Sequence, residues 1–209
     1  PHVDRAGGNV EHAAARAEHR GALAVELRLR EVARRDRVQR EPAPSQRVAV
    51  AFVPVKGDRP EWSVQKLTEI GVDEIIVLAP TRRAVVRWGD AKQPHKDDKH
   101  MQKLLKVARE ASMQSRRVWL PKIEGPVLLA DACSRPGAAV ADPAGAPLAA
   151  PGTAPSLVII GPEGGFDDGE IPASVARVSL GGTILRAETA TLVAATLLAD
   201  MRNRKEASR

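Results

Sequence analysis

Cysteine occurs once, tyrosine never, and aromatic residues together make up only 2% of the 209 positions. A single cysteine, Cys133, excludes an internal disulfide framework and a cysteine-built metal cluster, and it reads most simply as a small buried hydrophobe. So few aromatics argue against a single-strand binder that stacks successive bases on rings. No apolar run approaches the roughly 20 residues of a membrane span, and no apolar signal region stands at the start of the sequence, so a cytoplasmic address is expected. No histidine or cysteine cluster offers itself to a metal, and none is expected to bind.

What is present is a globular composition, 43% hydrophobic and 28% charged, with a net charge of +6. The length suits one core domain with a small appendage. The excess charge is concentrated. From Lys99 to Lys122 there are seven basic residues (Lys99, Lys103, Lys106, Arg109, Arg116, Arg117, Lys122) against one acid, Glu110. Such a stretch suggests a polyanionic partner, the plainer reading being a solvated helix face.

Residues 1–46 differ from the rest. They are rich in Arg and Ala, and their one clear element is residues 23–30, where Leu23, Val25, Leu27 and Leu29 alternate with Glu26, Arg28 and Arg30 as in a half-buried strand. Pro42, Pro44 and Ser45 then read as a linker. From residue 47 onward strands and helices alternate. Uninterrupted apolar runs at 48–53, 75–78 and 157–160 predict strands covered on both faces. Helices are expected at 61–70, ended by Gly71, along a stretch carrying Met101, Leu104, Leu105, Ala108 and Ala111, at 127–132, and at 188–202 with Leu192, Ala195, Thr196 and Ala199 inward. Residues 138–141 read as a short strand and 145–155 as a loop. The pattern is that of an α/β domain with a largely parallel sheet.

Two segments could carry chemistry. Gly161-Pro162-Glu163-Gly164-Gly165-Phe166 follows a buried strand directly, and glycines there let a ligand approach the backbone. The spacing fits neither a dinucleotide fingerprint nor a phosphate loop. The second is Leu180-Gly181-Gly182-Thr183-Ile184-Leu185-Arg186-Ala187-Glu188-Thr189-Ala190, which leads into the last helix, where Glu188 could simply serve the first turn.

These two segments, in this order, closely resemble the signature of the RsmE family, the 16S rRNA uridine N3-methyltransferases of the SPOUT superfamily. Lys56-Gly57-Asp58 with Gln65 through Val72, and Glu110-Ala111 with Gln114, Arg117 and Pro121, resemble two further motifs of that family. Where the family usually has Thr-Glu-Arg-Ser, this chain has Thr81-Arg82-Arg83-Ala84. The resemblance implies a SPOUT methyltransferase domain over 47–209 whose C-terminal chain forms a trefoil knot, preceded over 1–46 by part of a PUA-like β segment. It implies a cofactor, S-adenosyl-L-methionine (SAM), held at Ile160, Gly161, Gly164, Gly165, Leu180, Gly181, Gly182, Ile184, Leu185 and Ala190. Methyl transfer to uridine N3 needs the N3 proton removed and the resulting anion stabilised, for which Arg186 and either Glu188 or Glu163 are the candidates. Arg83, Gln114, Arg117, Lys103 and Lys106 are the candidate contacts to 16S rRNA of the small ribosomal subunit, and a homodimer is implied. Ribose 2′-O-methylation within the same superfamily, and a non-catalytic RNA-binding role in ribosome assembly, stay open as alternatives.

Overall fold

The apolar runs without polar interruption become the middle of a sheet. The computed structural model describes residues 44, 46–55, 59–85, 94–150 and 155–208. The strand expected at 23–30, the rest of 1–43, and the Lys56-Gly57-Asp58 segment lie outside the described residues. The strands are β1 (Ala49–Phe52), β2 (Glu74–Leu78), β3 (Lys122–Val127), β4 (Ala138–Pro147), β5 (Leu157–Ile160) and β6 (Ala176–Ser179). They form a six-stranded sheet in the order β3-β2-β1-β5-β4-β6, and each pairing is parallel. Every residue of β1 and β5 is buried, as expected of strands covered on both faces.

The helices are α1 (Arg59–Ile70), α2 (Pro94–Gln114), α3 (Leu129–Cys133) and α4 (Ala187–Ala207). Side chains alternate across the sheet. Val50, Phe52, Ile75, Val77, Val158 and Ile160 face a cluster built with Val64 and Leu67 of α1, Leu104 and Ala108 of α2, and Ala194, Ala195 and Leu198 of α4. Ala51, Ile76, Leu78, Ile159 and Val140 face the other way, toward Ala132 and Cys133 of α3 and toward Ala84, Phe166 and Ile171 from loops. Cys133 is buried and its burial pushes the thiol pKa up, which keeps it protonated and inert.

Three expectations need correction. The edge strands β3 and β6 were not foreseen, because edge strands bury little: Val178 is the one buried residue of β6, and β3 has none. β4 continues past residue 141 to Pro147, through a bulge, where a loop was expected from 145. On α4, Ala195 and Ala199 face inward as expected, but Thr196 is exposed and the buried face also holds Ala187, Ala190, Thr191, Ala194 and Leu198. With alanine and threonine on every side of this helix, composition defines the inner face weakly.

One carboxylate joins four elements. Asp73, in the α1–β2 turn, accepts the Val48 N–H through Oδ2 at 3.0 Å. Arg202 of α4 donates from Nη1 to the same oxygen at 2.8 Å and to the Gly71 carbonyl at 3.2 Å. Arg117, just past α2, donates from Nη1 to the carbonyls of Thr68 and Val72 at 3.0 and 2.8 Å, and its Nη2 lies 3.5 Å from Asp73 Oδ1. The two guanidinium groups thus bind carbonyls at the C-terminal end of α1 and in the turn that follows it, where negative charge from the helix dipole gathers. Burial is the main influence pulling the Arg117 pKa below its ordinary value; Asp73 opposes it and Arg202 adds to it. With side chains only 9–14% exposed, this triad is sensitive to loss of its one acid. Asp73→Ala should cost about 3–5 kcal/mol, the usual penalty for leaving buried charge unpaired. Urea unfolding measures it, and a loss below about 1 kcal/mol would contradict this role.

Candidate functional site

The C-terminal ends of parallel strands are where an open α/β sheet leaves room for a ligand. Here a cavity of about 330 Å³ opens beyond β4 and β5, at the lower end of the roughly 300–1,000 Å³ usual for small-molecule sites. Its walls come from four places. Ile160 ends β5 and residues 161–163, 165 and 166 follow it, residues 180, 181 and 183–185 follow β6, Ala187 and Ala190 belong to the first turns of α4, and residues 140–143 with Arg177 come from β4 and β6. The two glycine segments, separate in sequence, therefore share one cavity.

Of the residues expected to hold a cofactor, Ile160, Gly161, Gly165, Leu180, Gly181, Ile184, Leu185 and Ala190 line this cavity, and Gly164 and Gly182 do not. The lining is largely apolar, with Glu163, Asp142, Arg177 and Thr183 as its polar side chains. Glu163 is exposed on the wall. Arg186 is exposed at the N-cap of α4, between the lining residues Leu185 and Ala187. Glu188 is half-buried in the first turn of α4, off the wall. Ile184 stands at the cavity with 88% of its surface exposed.

Arg83, an expected RNA contact, is engaged within the fold while its side chain stays half exposed. Its Nη1 donates to the Gly164 carbonyl at 2.7 Å and its Nε pairs with Asp167. The neighbouring Arg82 N–H donates to Glu170 Oε1 at 3.0 Å, and Glu170 Oε2 accepts the Asp167 N–H at 2.7 Å. The turn after β2 thus fastens the loop that follows β5. Arg117 is engaged more deeply: its guanidinium lies on the carbonyls of Thr68 and Val72 and beside Asp73, with the side chain 14% exposed. Gln114 is exposed at the end of α2. Lys103 pairs with Glu61 at 2.7 Å while 56% exposed, and Lys106 lies 3.9 Å from Glu110 with both side chains well exposed.

Sequence reasoning missed Asp142, Pro143, Arg177, Thr183 and Phe166 as lining residues. A signal existed for Asp142, which follows a buried strand just as Gly161 does. For Arg177 there was none, since β6 itself was not legible.

A family model described as RNA methyltransferase domain matches residues 41–199. Ribosomal RNA small subunit methyltransferase E of Mycobacterium bovis is 30% identical over 169 residues, covering 73% of this chain and 63% of that protein. The chain belongs to the ribosomal RNA small subunit methyltransferase E family. It spans somewhat less than two thirds of that relative's length. Among solved structures, a Legionella pneumophila protein with the cofactor SAM bound is similar at a TM-score of 0.64 and 30% identity, over 75% of this chain and 66% of that one. The ribosomal RNA small subunit methyltransferase E of Neisseria gonorrhoeae, bound to SAM, shares the fold at a TM-score of 0.65 and 22% identity, over 78% and 69% of the two chains.

The β4 bulge closes one side of the cavity. Val178 pairs with both Ala141 and Ala146, so four residues leave the ladder, and a Cβ on Gly145 would fall 2.5 Å from the backbone of Arg177 and Val178. Backbone cannot yield there. Gly145→Ala should destabilise by about 2 kcal/mol or more, whereas Gly182→Ala, where an added Cβ meets nothing within 4 Å, should change stability by less than ~1 kcal/mol. Equal urea midpoints for the two variants would contradict the packing described.

Proposed function

We propose that residues 47–209 form a SAM-dependent methyltransferase domain that methylates N3 of a uridine in 16S rRNA. The observation that carries this reading is the meeting of the two family glycine segments on one cavity at the C-terminal ends of parallel strands. The residues present fit the cofactor. Gly165 adopts φ +72°, and a Cβ added there meets no heavy atom within 4 Å, so the glycine leaves open space on the wall. Ile160, Leu180, Leu185 and Ala190 would hold the nucleoside by apolar contact, with backbone groups of both glycine segments available for hydrogen bonds. Bound SAM would supply a methyl group made electrophilic by its sulfonium, leaving a neutral thioether.

The chain's own task is to make uridine N3 nucleophilic. Its lone pair is delocalised, and it attacks as the N3 proton departs, so the N–C bond forms while a base takes the proton. Glu163, on the wall, or Glu188, in the first turn of α4, is the base in this reading. Arg186 stabilises negative charge at O2 and O4, and its place at the positive end of α4 adds to the same effect. Ile184 at the rim offers an apolar contact for the base.

For RNA docking, the exposed cations Lys99, Lys106, Arg109 and Arg116 support a phosphate-binding face on and after α2, with Lys103 and Gln114 beside it. We also propose the family's trefoil knot. Its support is that β6 lies at the sheet edge beside β4, whereas α4 packs back on β1, β5 and α1. A homodimer is proposed as well, supported by the exposed apolar run of Val118, Trp119 and Leu120 beside Met113.

Incubation with SAM and small ribosomal subunits, followed by nucleoside mass spectrometry, tests the activity. The expected product is 3-methyluridine; a ribose-methylated nucleoside, or none, would overturn the assignment. Arg186→Ala should lower the single-turnover rate by ~100-fold with SAM affinity retained. A parallel loss of SAM affinity would instead assign Arg186 to cofactor binding.

A further inference from the structure

The cavity carries one ion pair that neither glycine segment supplies. It comes from the β4 bulge, whose first residue is Asp142, and from the facing edge strand β6. The Ala144 N–H donates to Asp142 Oδ1 at 2.9 Å, and Arg177 Nη1 donates to Asp142 Oδ2 at 2.6 Å. The first of these bonds, then the second, holds the Asp142 carboxyl below the usual carboxylate range, so it is ionised at neutral pH. Each group keeps unused capacity. An ionised carboxylate accepts about four hydrogen bonds and a guanidinium donates five, and both side chains remain solvent-accessible, Arg177 at 51% and Asp142 at 23%.

A pair of this kind has no net charge but displays both signs side by side on a cavity wall. Its complement is a ligand end that is likewise neutral overall and carries both signs. We infer that Asp142 and Arg177 hold the zwitterionic amino-acid end of SAM, the α-carboxylate on the Arg177 guanidinium and the α-ammonium on the Asp142 carboxylate. The inference rests on the cofactor reading above and divides the cavity in two. Apolar side chains and glycine backbone take the nucleoside, and the bulge takes the amino acid. A planar two-donor group suits a carboxylate in particular. A bulge beside a site is a known way to re-aim a side chain out of a ladder, and Gly145 allows this one by letting the bulge close against the β6 backbone.

The rival role for the pair is a strut that pins the bulge to β6, which would affect every ligand alike. Calorimetric titration of the full chain separates the two roles with a pair of probes. S-adenosylhomocysteine carries the amino-acid end, and 5′-methylthioadenosine has the same nucleoside and sulfur without it. The wild-type chain should bind the first at least ~10-fold more tightly, as expected of charge-assisted hydrogen bonds. Asp142→Asn and Arg177→Gln should each erase most of that difference while leaving methylthioadenosine affinity within about twofold, and Arg177→Lys should restore part of it. Parallel loss of both probes, or unchanged affinity for S-adenosylhomocysteine, would overturn the inference. If Asp142→Asn fails to fold, Arg177→Gln, at a half-exposed position, decides the matter alone. A wild-type chain that binds neither probe would overturn the cofactor reading itself.

Discussion

The Asp73 carboxylate holds together what the rest of the structure needs in register. It accepts a backbone N–H at the entry to β1, and it anchors guanidinium groups from the end of α2 and from the last turns of α4. Because α4 begins at the cavity and ends at this anchor, the placement of Ala187 and Ala190 in the wall is fixed from its far end. The alanines along its inner face let the helix lie close to β1 and β5, so a small shift at Arg202 would be carried to the cavity with little slack. Buried ion pairs contribute less to net stability than to a single arrangement of elements, and four elements meeting at one acid is a case where arrangement matters.

A second set of charges shapes the loops. Arg83 and the Arg82 N–H clasp residues 164–170 from the turn after β2. Arg135 and Lys122 bridge Glu74 and Glu124 along the β3 edge, and that network lowers the Glu124 pKa, chiefly through Lys122, which is itself raised by the same contact. Several of the cations counted toward the net charge of +6 are thus engaged within the domain. The basic face left for a polyanion is narrower than the count from Lys99 to Lys122 suggests, since Arg117 and Lys122 are both paired.

The interior of the sheet was legible in the sequence and its edges were not, for one reason. A strand buried on both faces must be apolar throughout, as β1 and β5 are, and such runs are short and recognisable. β3 carries Lys122, Glu124, Gly125 and Pro126, and β6 carries Arg177, because an edge strand tolerates and even favours polar residues. The glycine segments stood out as composition, so eight of the ten expected cofactor contacts do line the cavity. Asp142 stood just past a legible apolar stretch, whereas Arg177 depended on an edge strand, which has no periodic signature. The inward contacts of Arg117 were not legible, because a guanidinium in a basic stretch looks the same in sequence whether it reaches outward or folds back on carbonyls.

The proposed function stands on one cavity, walled by both glycine segments, the β4 bulge and the start of α4, receiving the cofactor. Crystals of the full chain grown with saturating S-adenosylhomocysteine test it most directly. The predicted result is ligand density filling the space between residues 161–166 and 180–185, with its amino-acid end toward Asp142 and Arg177. Density at another site, with this cavity holding solvent alone, would contradict the account.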